Sequence, residues 1–362
     1  MRDAQQQDCE GKEALIAWRA EVGAVRSAER AASFETERRG IVAPITQEWA
    51  GVGAACGAFE WIALGYLALS CVLIALLPEN LAHPMKLIGV QAVVAGVILV
   101  LCRVEARAAK RGVLNNEARR GTDRNVCPTL AQKFWHFWRH WYPHLFFLFC
   151  FEEMAKLVHL VSPGWQDAKL IAFDQWLTGV NPPLWLERFA HPALNEFMQF
   201  AYFTYFIFLL VLGGILYYGR DWKSYWSVMT YSAIAYGLGY VIAMFFPVQS
   251  PWFSMAGMWH GELVGGPFTA LINLIEKCGR VHGAAFPSQH VAGAVAALWG
   301  AWRHRRWLFW VFLPFVLCMC VSTVYVRNHY LADMFGGMLT GTLGYVIGVW
   351  VMRKQGAVTV RA

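Results

Sequence analysis

The fold class this sequence predicts is an all-α polytopic membrane protein of about eight transmembrane helices, and three observations predict it. Apolar residues fill 57% of 362 positions and charged residues only 15%, with a mean hydropathy of +0.37, a balance that leaves too few charges to cover a water-soluble domain. Eight apolar stretches, at about 53–77, 86–102, 143–161, 197–218, 226–247, 290–303, 308–326 and 330–352, reach or approach bilayer-spanning length. Basic residues gather in alternate connectors, as they do when one face of a bundle is cytoplasmic.

Residues 1–50 are polar, rich in Ala, Arg and Glu, and lack the apolar core of a cleaved signal peptide. They read as a cytoplasmic extension. Within it Ala14, Leu15, Ala17, Trp18, Val22 and Val25 suggest an amphipathic surface helix, with a loosely ordered tail as the alternative. Residues 51–142 supply two N-terminal spans and a connector crowded with Arg103, Arg107, Lys110, Arg111, Arg119, Arg120 and Arg124. Residues 143–354 form a six-helix core whose further basic clusters are Arg220 with Lys223, Arg303 with Arg305 and Arg306, and Arg353 with Lys354. Eight crossings put all four clusters, and both termini, on the cytoplasmic side. The connectors at about 78–85, 162–196 and 248–289 then face outward, in a cell inner or plasma membrane.

The net charge of +7 matches this bias and contact with anionic headgroups. The partner expected from composition and charge is the bilayer, with no nucleic acid. Nine cysteines show no metal or disulfide spacing. Inside the third stretch Glu152 and Lys156 stand four apart and suggest a neutralising pair, with a substrate contact as the alternative. Trp135, Trp138 and Trp141 beside Arg139 resemble an interfacial belt.

The chemistry concentrates at two places. Pro287, Ser288, Gln289 and His290 open one span; His329 opens another, with Arg327 before it and Asp333 behind it. On a helix i and i+4 share a face, so Asp333 can hold one ring nitrogen of His329 and leave the other free to attack. His290 follows a Pro-Ser turn at a helix start, where the dipole and open N–H groups attract an anion, and Ser288 can cap the helix or donate to a phosphate oxygen. A phosphoryl group between the histidines is the economical reading. Lys277 and Arg280, shortly before Phe286, are either phosphate ligands or ordinary loop cations. His329 and Asp333 could hold a metal only with His290 as third ligand. The helix N-terminus at His290 beside Ser288, with Arg327 near His329, makes the pocket electropositive and favours an anion over a cation, so neither metal nor other cofactor is expected.

From about residue 170 onward the chain resembles the type 2 phosphatidic acid phosphatase superfamily, and within it the branch of fungal inositol phosphorylceramide synthase and its bacterial relatives. The residues that carry the resemblance are Phe286-Pro287-Ser288-Gln289-His290, His329-Tyr330 with Asp333, Phe173-Asp174-Gln175-Trp176-Leu177 with Asn181-Pro182-Pro183, and Phe246-Pro247-Val248-Gln249-Ser250-Pro251. The resemblance implies a metal-independent reaction through a phosphohistidine: His329 attacks phosphorus, Asp333 orients it, and His290 protonates the leaving oxygen and then activates the acceptor. Ser288, Gln289, Arg327, Arg280 and Lys277 are the candidate phosphate-binding residues. The chain departs from the superfamily where Thr323 stands six residues before His329 in place of an Arg, where Gln289 replaces a Gly, and where Gln249, Ser250 and Trp252 occupy the region of its first, Lys-containing motif. The expected activity is a lipid phosphatase or phosphotransferase on the outer face, with water or a hydroxyl as acceptor. A lipid-phosphate binding or transport protein is the alternative.

Overall fold

A computed structural model describes residues 56–118, 129–279 and 281–359. The extension 1–50, the cations Arg119, Arg120 and Arg124, and Arg280 lie outside the described residues. Among the described residues, 56–101 with 129–359 form one compact unit and 102–118 belong to another. The latter is simply the C-terminal run of one helix. The larger unit contains both histidines.

All regular structure among the described residues is helical. In order the helices are α1 (Ala58–Leu76), α2 (Pro84–Ala118), α3 (Leu130–Leu157), α4 (Asp167–Thr178), α5 (Pro182–Glu187), α6 (Pro192–Phe203), α7 (Tyr205–Tyr218), α8 (Trp222–Phe245), α9 (Pro251–Ser254), α10 (Pro267–Gly279), α11 (Gln289–His304), α12 (Arg306–Tyr325) and α13 (Leu331–Thr359). Six of the described segments are long and apolar enough to cross a membrane: α1, α2 as far as Arg107, α6 continued through α7, α8, α12, and α13 as far as Gln355. This is an integral membrane protein of helices.

Each of the eight apolar stretches falls on a helix, yet two helices miss the span criterion. α3 dilutes its apolar middle with Arg139, His140, His144, Glu152, Glu153 and Lys156. α11 has 16 residues, about 24 Å at 1.5 Å per residue, short of a hydrocarbon layer of about 30 Å. The reason is its place in the bundle: α11 packs against α7, α8, α12 and α13 and is buried almost all round. Small residues make that possible. A Cβ on Gly337 would stand 2.5 Å from the Ser288 carbonyl oxygen, and one on Gly341 2.6 Å from that of Ala292, so α13 can approach α11 this closely only where it carries glycine.

The ends of the bundle differ. At one, Arg305 alone separates α11 from α12 and reaches Asp221 Oδ2 at 3.0 Å, while Asp221 Oδ1 accepts the Ser224 N–H at the start of α8. At the other, α4, α5, α9 and α10 fill the two long connectors that the charge pattern assigns to the outside. Polar groups inside α3 find partners within the bundle. Arg139 pairs with Glu60 at 2.8 Å and lies over the Trp226 ring, so it belongs to the interior and not to an interfacial belt. Glu153 accepts the Gln91 amide at 2.9 Å. Glu152 and Lys156 do not form the pair their spacing suggests, and Glu152 lines the cavity that also holds His290 and His329 instead.

Candidate active site

Three local structures place the chemistry. Ser288 caps α11, its hydroxyl oxygen accepting the Val291 N–H at 3.4 Å, and the Ser288 N–H donates to the Asp333 carbonyl at 3.0 Å. That bond ties the start of α11 to the start of α13. His290 follows in the first turn of α11, its ring among those of Tyr202, Tyr205 and Phe151. His329 sits in the connector before α13, where the backbone reverses through Arg327 at φ 67° and the His329 N–H returns to the Thr323 carbonyl at 3.0 Å.

The ring geometry fixes a tautomer. His329 Nδ1 faces two acceptors, the Ala285 carbonyl at 3.0 Å and Asp333 Oδ2 at 3.3 Å. Nδ1 therefore carries the hydrogen and Nε2 the lone pair. Burial, and after it the neighbouring His290, hold the His329 imidazole well below its ordinary titration range, so the ring is neutral near pH 7. Its Nε2 stands 3.2 Å from His290 Nδ1. His290 Nε2 in turn lies 2.8 Å from the Tyr202 hydroxyl. The polar chain runs Tyr202, His290, His329, Asp333.

Acidic residues from the connectors hold this chain in place. Asp174 accepts the Leu331 and Ala332 N–H groups at 2.9 Å each, capping α13 from another helix. Burial raises the Asp174 carboxyl, with those two bonds opposing. Asp167 accepts the Tyr330 hydroxyl at 2.9 Å and the Gln249 N–H at 3.1 Å; its carboxyl too is raised by burial. Burial works to raise Glu187 as well, but the His260 and Gly261 donors and the Arg327 charge hold it below its ordinary value.

The histidines form one end of a cavity of about 450 Å³. Near them its wall includes Ser250, Gln289 and Asn328; further along it is Leu145, Leu148, Phe206 and Leu210, all on the exposed outside of their helices. Ser250 Oγ and Gln289 Oε1 are buried without a hydrogen-bond partner. Each can therefore meet a ligand oxygen or hydroxyl, Gln289 after an amide flip.

Of the residues singled out in the sequence, His290, His329 and Asp333 come together, and Gln289 joins them at the cavity wall. Ser288 is fully buried as a cap and does not line the cavity. Arg327 turns away: its guanidinium bonds Glu187 Oε1 at 3.0 Å and the Gly261 carbonyl at 2.8 Å and lies over the Trp259 ring. Lys277 is exposed and is not a lining residue. Arg280 is outside the described residues. Among the described lining residues no Lys or Arg occurs, and Glu152 and Glu276 do. The electropositive pocket expected from Arg327 is thus not formed by that residue, because a carboxylate nearer to it takes its charge. No group of three His, Cys, Asp or Glu residues able to hold a metal ion is found among the described residues.

Tyr202, Ser250, Asp167, Asp174 and Glu187 hold places in or around the site that spacing alone does not announce. Asp174 and Ser250 lie within recognised motifs, but their contacts with α13 and the cavity need the fold. Tyr202 sits in an apolar run 88 residues before its partner.

Fold and site together define a polytopic helical membrane protein with a buried His-His-Asp site beneath the connectors that carry α4, α5, α9 and α10. Residues 168–347 match the family model described as the PAP2 superfamily, a segment that runs from α4 into α13 and holds both histidines and Asp333. No curated relative and no solved structure matches the chain.

Proposed function

We propose that this protein is a lipid phosphatase or phosphotransferase acting through a phosphohistidine on His329. The observation that carries the reading is the fixed tautomer: two acceptors on Nδ1 leave His329 Nε2 as a neutral nucleophile facing His290. Nε2 attacks phosphorus, and the departing oxygen takes a proton from His290. In the second half His290 removes a proton from the acceptor hydroxyl, whose oxygen attacks phosphorus and frees His329. At 3.2 Å the two nitrogens leave no gap for phosphorus, so substrate binding spreads the rings.

A lipid substrate is supported by the cavity wall, which leads from the histidines to exposed leucines and Phe206 where an acyl chain can lie. Ser250 and Gln289 are the phosphate-oxygen ligands best placed among the described residues. The motifs favour the inositolphosphotransferase-like branch, with a polyol or lipid hydroxyl as acceptor, and the charge pattern favours the outer face of the membrane. One observation favours a second reading, a weakened lipid-phosphate binding or transport protein: no Lys or Arg is found among the described lining residues.

Purified full-length protein incubated with a panel of lipid phosphates, with released phosphate and lipid products both followed, tests the two. The expected result is turnover of at least one lipid phosphate, with acid-labile phosphate trapped on the protein and lost in His329→Ala together with a rate drop of several orders of magnitude. Saturable lipid-phosphate binding without turnover or phosphoenzyme would replace the enzyme reading with the binding one.

A further inference from the structure

A second cavity, of about 720 Å³, opens at the end of the bundle opposite the histidines. Its wall takes Lys223 from α8, Arg303 and His304 from α11, Arg306 from α12 and Arg353 from α13. Arg303 lies 13 residues along α11 from His290, about 20 Å at the helical rise, so this is a separate place.

Four permanent cations converge here, and no Asp or Glu is among the described residues lining the space. Two acids at this end are already engaged, Asp221 by Arg305 and Glu60 by Arg139, and neither arginine is part of the wall. The excess of basic residues on one membrane face explains why cations lie at this end. It does not explain a cavity between four helices with a polar floor. Ser227 and Tyr231 are buried in that floor, and the Tyr231 hydroxyl stands 3.4 Å from His304 Nε2. Trp302 holds Arg306 with the guanidinium 4.2 Å from its ring centroid, so one cation is oriented before any ligand arrives. Like charges gathered around a volume of this size are relieved by an anion with several oxygens, and Arg with Lys donors matches phosphate best. Basic pockets between helix ends at a membrane surface bind phosphate-bearing headgroups on the same grounds.

We propose that this cavity is a binding site for a phosphate-bearing anion, distinct from the histidine site. Its position at helix ends admits a lipid headgroup from the leaflet beside it, and its opening admits a soluble phosphate.

The test is calorimetric titration of full-length His329→Ala protein, which cannot turn over a substrate, in dodecyl maltoside. The titrants are dihexanoylphosphatidic acid, dihexanoylphosphatidylcholine and inorganic phosphate, each alone. Adding Arg303→Gln and Arg353→Gln should weaken phosphatidic acid or phosphate binding by about tenfold or more and leave phosphatidylcholine unchanged. Phosphatidic acid binding about tenfold tighter than phosphate would identify the headgroup as the source; comparable binding would identify the free anion, and either supports the site. Affinities for both anions within about twofold of the parent would overturn it. If the double variant does not yield a monodisperse protein, the exposed Lys223→Gln decides alone: weakening of about threefold or more supports the site, and less overturns it.

Discussion

At the scale of the residue, His329 is the most informative side chain, because burial sets both its reactivity and its cost. Its titration lies well below the ordinary value of 6.5, so the native protein keeps a neutral ring in mildly acid solution while the unfolded chain takes up a proton. Stability from this group is therefore complete above pH 6.5 and is lost as pH falls toward the depressed native value. The half-life of the detergent-solubilised protein at a fixed raised temperature should shorten between pH 7 and 5, and His329→Gln should flatten that decline. Turnover should show the same asymmetry: the acid limb of kcat/KM, which reports protonation of the nucleophile in the free enzyme, should fall below the usual imidazole range. Tyr202 extends the chain by one hydroxyl. Tyr202→Phe should lower kcat about tenfold with little change in KM and move the pH profile, whereas a packing defect would leave the profile where it was. The pairing of His329 with Asp333 was legible in the sequence from their four-residue spacing, although His329 stands in the connector two residues before α13 and not on the helix that the spacing assumes. Tyr202 was not, since an aromatic residue in an apolar run reads as packing until the fold brings it to His290.

At the scale of the element, the start of α13 depends on a residue in α4. Asp174 takes two N–H groups that the helix itself cannot satisfy, and removing such a cap costs about 1 kcal/mol of local order. Asp174→Ala should therefore reduce kcat by loosening Asp333 and His329, with the protein still folded by far-ultraviolet circular dichroism. Asp174→Asn, which keeps one acceptor oxygen, should recover part of the rate. A variant with undiminished kcat would show that α13 is set by its glycine contacts alone. The sequence marked all eight apolar stretches on helices because hydropathy is a local property. It did not show that α11 is a buried centre: only the Gly and Ala density of 292–301 hinted at it, and the neighbours that cover a helix are not written in its own pattern. Arg327 illustrates the opposite error. Its nearness to His329 in sequence suggested a phosphate ligand, while the fold supplied Glu187 from 140 residues away.

At the scale of the whole molecule, the distribution of charge predicts a topology. A cysteine at Ser254 should react with an impermeant thiol reagent added to intact cells, after Cys278 is replaced, and one at Lys223 should not. Reversed labelling would move the histidines to the cytoplasmic face and invert the proposed sidedness. The cavity that holds the two histidines reaches beyond the chemistry of any residue. Its wall passes from His290 and His329 to Leu145, Leu148, Phe206 and Leu210 on the outside of the bundle; for the lipid substrate proposed above, the bilayer and not the surrounding water is then the reservoir from which it arrives. What governs occupancy is then the mole fraction of ligand among the lipids, so diluting the membrane with inert lipid at constant bulk concentration lowers the rate, and an inhibitor's potency tracks its partitioning as much as its fit.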